Sequence, residues 1–236
     1  MPRPTPKQAP APAAARVRRG YFECRYGQLH VHHAMPPGGG FEEGVALLCV
    51  HDCPGSGRML APFLALAGRD RSVYAPDLPG FGESDPPPAP PGLAGYAAAL
   101  ADFVDTMRLR RLDVLGVRTG ALIAAELALA RPEAVARVVM VSVPLGTAPA
   151  GAPPDAPEAQ CWIAEGLAQY PARERLARLS ARLLVLRPRD DLWDATARIR
   201  EAIPAARVAD LEGSARELLA ASPQRLFDAV RDFLRG

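Results

Sequence analysis

The side chains equipped for chemistry are few and unevenly placed. All four histidines, His30, His32, His33 and His51, lie near the start of the 236-residue chain. His30 and His32 alternate onto one face of a strand and could ligate zinc. No clear third ligand lies nearby, so a solvated polar face without metal is expected. The four cysteines, Cys24, Cys49, Cys53 and Cys161, include no Cys-x-x-Cys pair, which points to free thiols in a reducing, cytoplasmic compartment. Cys53 follows His51 closely enough to suggest a thiol nucleophile, but no other base is evident and a structural thiol is the reading taken. A second stretch, Gly116-Val117-Arg118-Thr119-Gly120, has the spacing of a tight turn whose small flanking residues let two elements approach closely. Its centre is an arginine, a group that stays protonated and cannot accept a proton.

The elements that must position these groups follow from apolar patterning. Leu112, Val114 and Leu115 form a short strand before the turn, and Leu122, Ile123, Leu127 and Leu129 a helix after it. A hairpin is expected over Gly20 to His33, with its bend at Gly27. Val45–Val50, Ser72–Ala75, Val138–Val141 and Arg182–Leu186 read as buried strands, with a weaker strand around Val208. Tyr96, Leu100, Phe103, Val104 and Met107 share one helical face, as do Leu226, Phe227, Val230, Phe233 and Leu234. A helix from Asp194 to Ile203, with Asp194 as N-cap, is also expected. Strands alternating with helices predict an α/β fold, a mainly parallel sheet with helices on both faces.

Three segments carry a resemblance to a known family. Gly116 to Gly120 fits the G-x-S-x-G nucleophile elbow, with Arg118 in the serine's place. His51-Asp52-Cys53-Pro54-Gly55 resembles an H-G-x-P-G loop, with Asp52 replacing the first glycine. Asp77 to Ser84 is similar to D-x-P-G-x-G-x-S. On these motifs the chain resembles the α/β-hydrolase fold superfamily over residues 20–236. The resemblance implies backbone donors at Cys53 and Thr119 that would form an oxyanion hole. It also implies a short cap over 146–180, where Trp162, Ile163 and Tyr170 line the pocket or pack the cap. Of the catalytic triad, Arg118 stands at the nucleophile position and Asp191 at the acid position, with Asp190 as the alternative. Leu211 to Arg216 fits L-P-G-A-G-H and puts Arg216 at the base position. No histidine follows the elbow, so hydrolysis by serine, histidine and aspartate is argued against.

Composition narrows the remaining choices. The formal net charge of +2 implies neither a nucleic-acid partner nor an anionic membrane surface. No apolar run approaches the ~18 residues of a membrane span. Neither G-x-G-x-x-G nor a P-loop occurs, so no cofactor is expected. Residues 1–19, rich in Pro and Ala and carrying Arg3, Lys7, Arg16, Arg18 and Arg19, are expected to be a disordered tail rather than a signal peptide. The function expected is non-catalytic binding of a small molecule, with an anion or carboxylate favoured, or of a protein partner. The alternatives are an enzyme with other chemistry (lyase, cyclase or isomerase) and weak ester hydrolysis through water activated by Asp191 or Asp52. The anion is expected at Arg118 unless Asp52 pairs with it.

Overall fold

The computed structural model describes residues 14–36, 44–147, 153 and 155–235. The chain opens with β1 (Arg18–Cys24), β2 (Gly27–Ala34) and β3 (Ala46–Val50), followed by a 3-10 turn (Gly57–Leu60) and α1 (Ala61–Ala67). Next come β4 (Val73–Pro76), α2 (Gly92–Thr106), β5 (Leu112–Val117), α3 (Thr119–Ala130) and β6 (Val135–Val141). Two cap helices follow, α4 (Glu158–Gln169) and α5 (Ala172–Leu176). The chain closes with β7 (Arg182–Pro188), α6 (Trp193–Ala197), α7 (Ile199–Ala202), β8 (Arg207–Leu211), α8 (Ala215–Ala220) and α9 (Pro223–Arg235).

The eight strands form one sheet in the order β1-β2-β4-β3-β5-β6-β7-β8. β2 runs antiparallel to β1 and to β4, while every pairing from β4 to β8 is parallel. The parallel strands β3, β4 and β5 are buried along their whole length, as strands covered on both faces must be. One apolar layer gathers α2, α3 and the inner side of α4 around Leu48, Val114 and Val138. The other packs α1, α8 and α9 against Leu47, Leu115 and Val139. α3 is buried from Thr119 to Ala128, which its alanine-rich, apolar circumference permits. α9 instead buries one stripe, Leu226, Val230, Phe233 and Leu234.

Some boundaries differ from the sequence reading. The tail expected over residues 1–19 is shorter: Arg18 and Arg19 already belong to β1, and Ala15 is buried with its N–H donated to the Ala65 carbonyl at 2.8 Å. Two register partners on β2, His33 for Arg18 and His32 for Arg19, outweigh the tail-like composition. Residues 1–13 lie outside the described residues. The single helix expected from Asp194 to Ile203 is two, broken at Arg198, and Leu192 rather than Asp194 precedes its first turn. The 3-10 turn with α1, and α8, are helices that the patterning missed. In the cap region of 146–180, residues 148–152 and 154 lie outside the described residues, and α4 and α5 supply the helical part.

The cap is pinned by one buried carboxylate. Glu126 on α3 accepts the Tyr170 hydroxyl at 2.6 Å and the Arg175 guanidinium at 2.7 and 2.6 Å. Burial, then the hydrogen bond to Glu126, hold the Tyr170 hydroxyl protonated. Charge-assisted bonds of this kind contribute about 1.5–3 kcal/mol each. Glu126→Gln is therefore expected to raise amide-exchange rates in α4 and α5 about tenfold while β5 and β6 stay protected, read by hydrogen-exchange mass spectrometry. Unchanged exchange in the cap would remove Glu126 from this role.

Candidate functional site

β5 delivers the chain to the carboxyl edge of the sheet, and α3 leaves it immediately. A Cβ at Gly116 would meet the Gly120 carbonyl, and one at Gly120 would meet the Val50 and His51 carbonyls. Only glycine allows that approach, and the turn between the two forces Arg118 to φ 51° and ψ −115°. A positive φ in a non-glycine residue costs on the order of 1–3 kcal/mol and persists only where surrounding packing imposes it.

Arg118 reaches over the sheet edge into a cage of carboxylates. Its Nη1 and Nη2 donate to the two oxygens of Asp191 at 2.7 and 2.9 Å, a bidentate fork. Its Nε lies 3.1 Å from Asp52 Oδ2, and Nη1 is 4.0 Å from Asp190 Oδ2. Asp191 is 69% exposed along its side chain, so its share of the pairing is weakened by solvent. The guanidinium nevertheless holds the Asp191 carboxyl below its ordinary range. Asp52 behaves in the opposite way. Burial pushes its carboxyl up, against the pull of Arg118 and of the Thr119 and Cys53 backbone N–H groups. The Thr119 N–H donates to Asp52 Oδ1 at 3.3 Å.

Asp190 is a clasp between loops. Its Oδ2 accepts the Ser142 hydroxyl at 2.7 Å and the Ala215 N–H at 3.3 Å, and its Oδ1 accepts the Leu192 N–H at 3.0 Å. It thereby ties the ends of β6 and β7 to the start of α8. That helix begins where Gly213, at φ 86°, turns the chain and the Ser214 hydroxyl accepts the Glu217 N–H at 3.2 Å. Arg216, in the first turn of α8, is exposed and has no ion pair among the described residues.

These groups surround one cavity of about 590 Å³, with Asp52, Arg118, Asp190, Asp191 and Arg216 on its polar side and Met59, Val117 and Leu219 on its apolar side. The structure thus brings Arg118, Asp191, Arg216 and Asp52 together. Cys53 and Thr119 lie behind Asp52 and do not line the cavity. Trp162 does not line it either: on α4 the residues turned inward are Ala159 and Ile163, and Trp162 sits half-buried beside them. Missed by the sequence reading was the lining supplied by Met59 and Leu219, which sit on the 3-10 turn and α8 that patterning did not resolve.

The histidines are structural pins. His51 is fully buried, its Nδ1–H donating to the Asp52 carbonyl at 2.8 Å and its Nε2 accepting the Leu78 N–H at 2.8 Å. Both ring nitrogens are engaged and burial lowers its pKa, so it cannot serve Cys53 as a base. Burial also pushes the Cys53 thiol well up. The solvated face expected for His30 and His32 is in fact covered, with 1% and 5% exposure. His30 Nδ1 donates to Asp77 Oδ2 at 2.9 Å, the His32 ring stands edge-on to it at 4.7 Å, and Tyr21 lies over it at 5.1 Å. His30, His32 and Asp77 have ligand atoms within 4.8 Å of one another. Asp77 is already committed, accepting also the Gly57 N–H at 2.6 Å and the Glu83 N–H at 3.0 Å. Its hydrogen bonds knit β2, the 3-10 turn and the Asp77–Ser84 turn together. No helix among the described residues is long and apolar enough to cross a membrane.

Residues 45–192 match the family model for the alpha/beta hydrolase fold. Among solved structures, an esterase from Thermogutta terrifontis superposes with a TM-score of 0.75 at 18% identity, covering 92% of this chain and 98% of the esterase. Naproxen esterase from Bacillus subtilis superposes with a TM-score of 0.72 at 18% identity, covering 93% of this chain and 92% of that one. An uncharacterized protein of Mycobacterium tuberculosis is 30% identical over 99 residues, which is 42% of this chain and 29% of the relative. The chain therefore spans less than a third of the length of that curated relative.

The pairing of Arg118 with Asp52 generates a pH-dependent expectation. Arg118→Met should lower unfolding free energy by about 1–3 kcal/mol at pH 7, because it leaves the half-buried Asp52 carboxylate without its counter-charge. A carboxyl whose pKa is raised on folding binds more protons folded than unfolded, so it favours the folded state as pH falls. The deficit relative to wild type should thus narrow between pH 7 and pH 5 as Asp52 takes up a proton. Asp191, with its depressed carboxyl, titrates below that window. Urea unfolding of both proteins at the two pH values is the measurement, and a deficit of equal size at both would contradict the pairing.

Proposed function

The chain belongs to the α/β-hydrolase fold family, and we propose that within it this protein binds a small molecule without turning it over. The observation that carries the reading is the placement of the Asp52 carboxylate. Of the two backbone N–H groups that would stabilise a developing oxyanion, that of Thr119 donates to Asp52 instead, that of Cys53 pulls the same carboxyl's pKa down, and Arg118 closes over it. The hole is filled by an anion of the protein's own. Loss of such donors alone costs a hydrolase about 10²–10³ in rate. In addition, the elbow presents a guanidinium rather than a hydroxyl, and the residue at the base position, Arg216, cannot take a proton.

The same placement changes the kind of ligand expected. Arg118 is committed to Asp191 and Asp52, so it is not available for a carboxylate or phosphate from solution. Three carboxylates face two guanidiniums across the cavity, which disfavours a strongly anionic guest. A cavity of about 590 Å³ lies within the common range for small-molecule sites. Met59, Val117 and Leu219 suit an apolar body, and the unpaired Arg216 suits a single acceptor group at its rim. Water activation by Asp191 is disfavoured, because a carboxyl held below its ordinary range is a poor base.

Hydrolysis of p-nitrophenyl acetate and butyrate by the wild type is expected to equal that of Asp191→Ala. Turnover about tenfold above that variant would overturn the non-catalytic reading. Asp52→Gly should vacate the donors and leave Arg118 one carboxylate short, so butyrate affinity measured by calorimetry is expected to rise at least about tenfold. Unchanged butyrate binding would show that Asp52 does not fill the hole.

A further inference from the structure

A second cleft shares no lining residue with the Arg118 cavity. It has a volume of about 570 Å³ and is lined by Arg16, Arg18, Arg19, Tyr21, His30 and Glu83. In the register of β1 and β2, Arg19 stands opposite His32 and Tyr21 opposite His30, so these four side chains share a face. His30 forms the floor. It is 1% exposed, its Nδ1 is held by Asp77 at 2.9 Å, and its Nε2 is directed toward Glu83 Oε2 at 3.9 Å. The cleft therefore has a fixed, buried polar base beneath an exposed cationic rim.

Its charge is unbalanced. Glu83 is the one carboxylate in the lining, and it is shared: it accepts the Tyr21 hydroxyl at 2.9 Å and lies 3.9 Å from Arg58 Nη2. Arg16, Arg18 and Arg19 form no ion pair among the described residues. Arg18, paired with His33, alternates to the opposite face of β1 from Arg19, which leaves Arg16 and Arg19 as the cations of the lining; guanidiniums beside one concavity without a counter-charge favour an anion between them. Guanidinium forks match the oxygens of a phosphate group geometrically. The chain as a whole carries only +2, which does not suit a nucleic-acid strand.

We propose that this cleft is a phosphate-binding site, taking a phosphate-bearing molecule between Arg16 and Arg19 over His30. It is separate from the Arg118 cavity and does not depend on what that cavity binds. A phosphate group can come from a soluble ester or from a lipid headgroup, and the test separates the two.

Inorganic pyrophosphate is titrated into the full chain by calorimetry at low ionic strength, and sedimentation is followed with phosphatidylcholine vesicles containing or lacking phosphatidic acid. Binding in the first arm marks a soluble ligand, and binding only in the second marks a headgroup. In whichever arm responds, Arg16→Ala/Arg19→Ala should weaken affinity about tenfold or more, whereas Arg225→Ala, distant in sequence and exposed, should leave it unchanged. Glu83→Gln removes the competing carboxylate while keeping an acceptor for Tyr21, and should strengthen binding several-fold. Its opposite sign guards against a trivial loss of folding in the double variant. No binding in either arm, or equal affinity in wild type and the double variant, would overturn the proposal.

Discussion

β5 and α3 can meet as closely as they do only because residues 116 and 120 lack side chains. Any Cβ at either position would strike backbone carbonyls, among them those of Val50 at the end of the neighbouring β3 and of His51 just after it. The approach fixes the height of α3 over the sheet, and α3, buried along most of its length, in turn sets the positions of α2 and of the cap through Glu126. It also leaves residue 118 no choice of backbone conformation. The carboxyl ends of the parallel strands then assemble around that point, as they do in open α/β sheets generally: Asp52 after β3, Ser142 after β6, Asp190 and Asp191 after β7, and α8 after β8.

What distinguishes this sheet edge is that its charges, Arg216 excepted, are closed among themselves. Asp190 spends its oxygens on a hydroxyl and two backbone N–H groups. Arg118 is forked by Asp191 and flanked by Asp52. Asp190, Arg118 and Asp52 have each found a partner within the protein, which is the state buried groups require when no ligand is present. A catalytic centre is usually the reverse, a cluster of groups held short of satisfaction until substrate arrives. In this edge the satisfaction is internal, and that contrast underlies the proposal of a binding protein.

The fold was legible because glycines and apolar runs report backbone geometry directly. Gly116 and Gly120 announced the close turn, Asp77 to Gly82 announced the second one, and the continuous runs of β3, β6 and β7 announced a parallel sheet. The sequence also brought Arg118, Asp191 and Arg216 to one edge through alignment of their loops, and named Asp52 as the partner to watch. It could not reveal which of several carboxylates a guanidinium would choose, since that depends on side-chain reach across loops 66 and 73 residues apart. His30 and His32 failed for a related reason. Alternation on a strand separates two faces, but it does not say that Asp77, Tyr21 and the 3-10 turn will cover the polar one. Short helices such as α1 and α8 carried too few turns to display a period.

The elbow survives here with an arginine at its apex, and this says where its unusual backbone comes from. The conformation at residue 118 is imposed from behind by the strand and helix, so it does not belong to any one side chain. Position 118 is in effect a mounting point: a group grafted there is projected from the same spot toward the same cavity, whatever its chemistry. Of the native thiols, Cys49 is buried and Cys24, Cys53 and Cys161 are only partly open. A cysteine introduced at 118 would accordingly carry a fluorophore or spin label at the mouth of the cavity, turning its occupancy into an optical or magnetic signal.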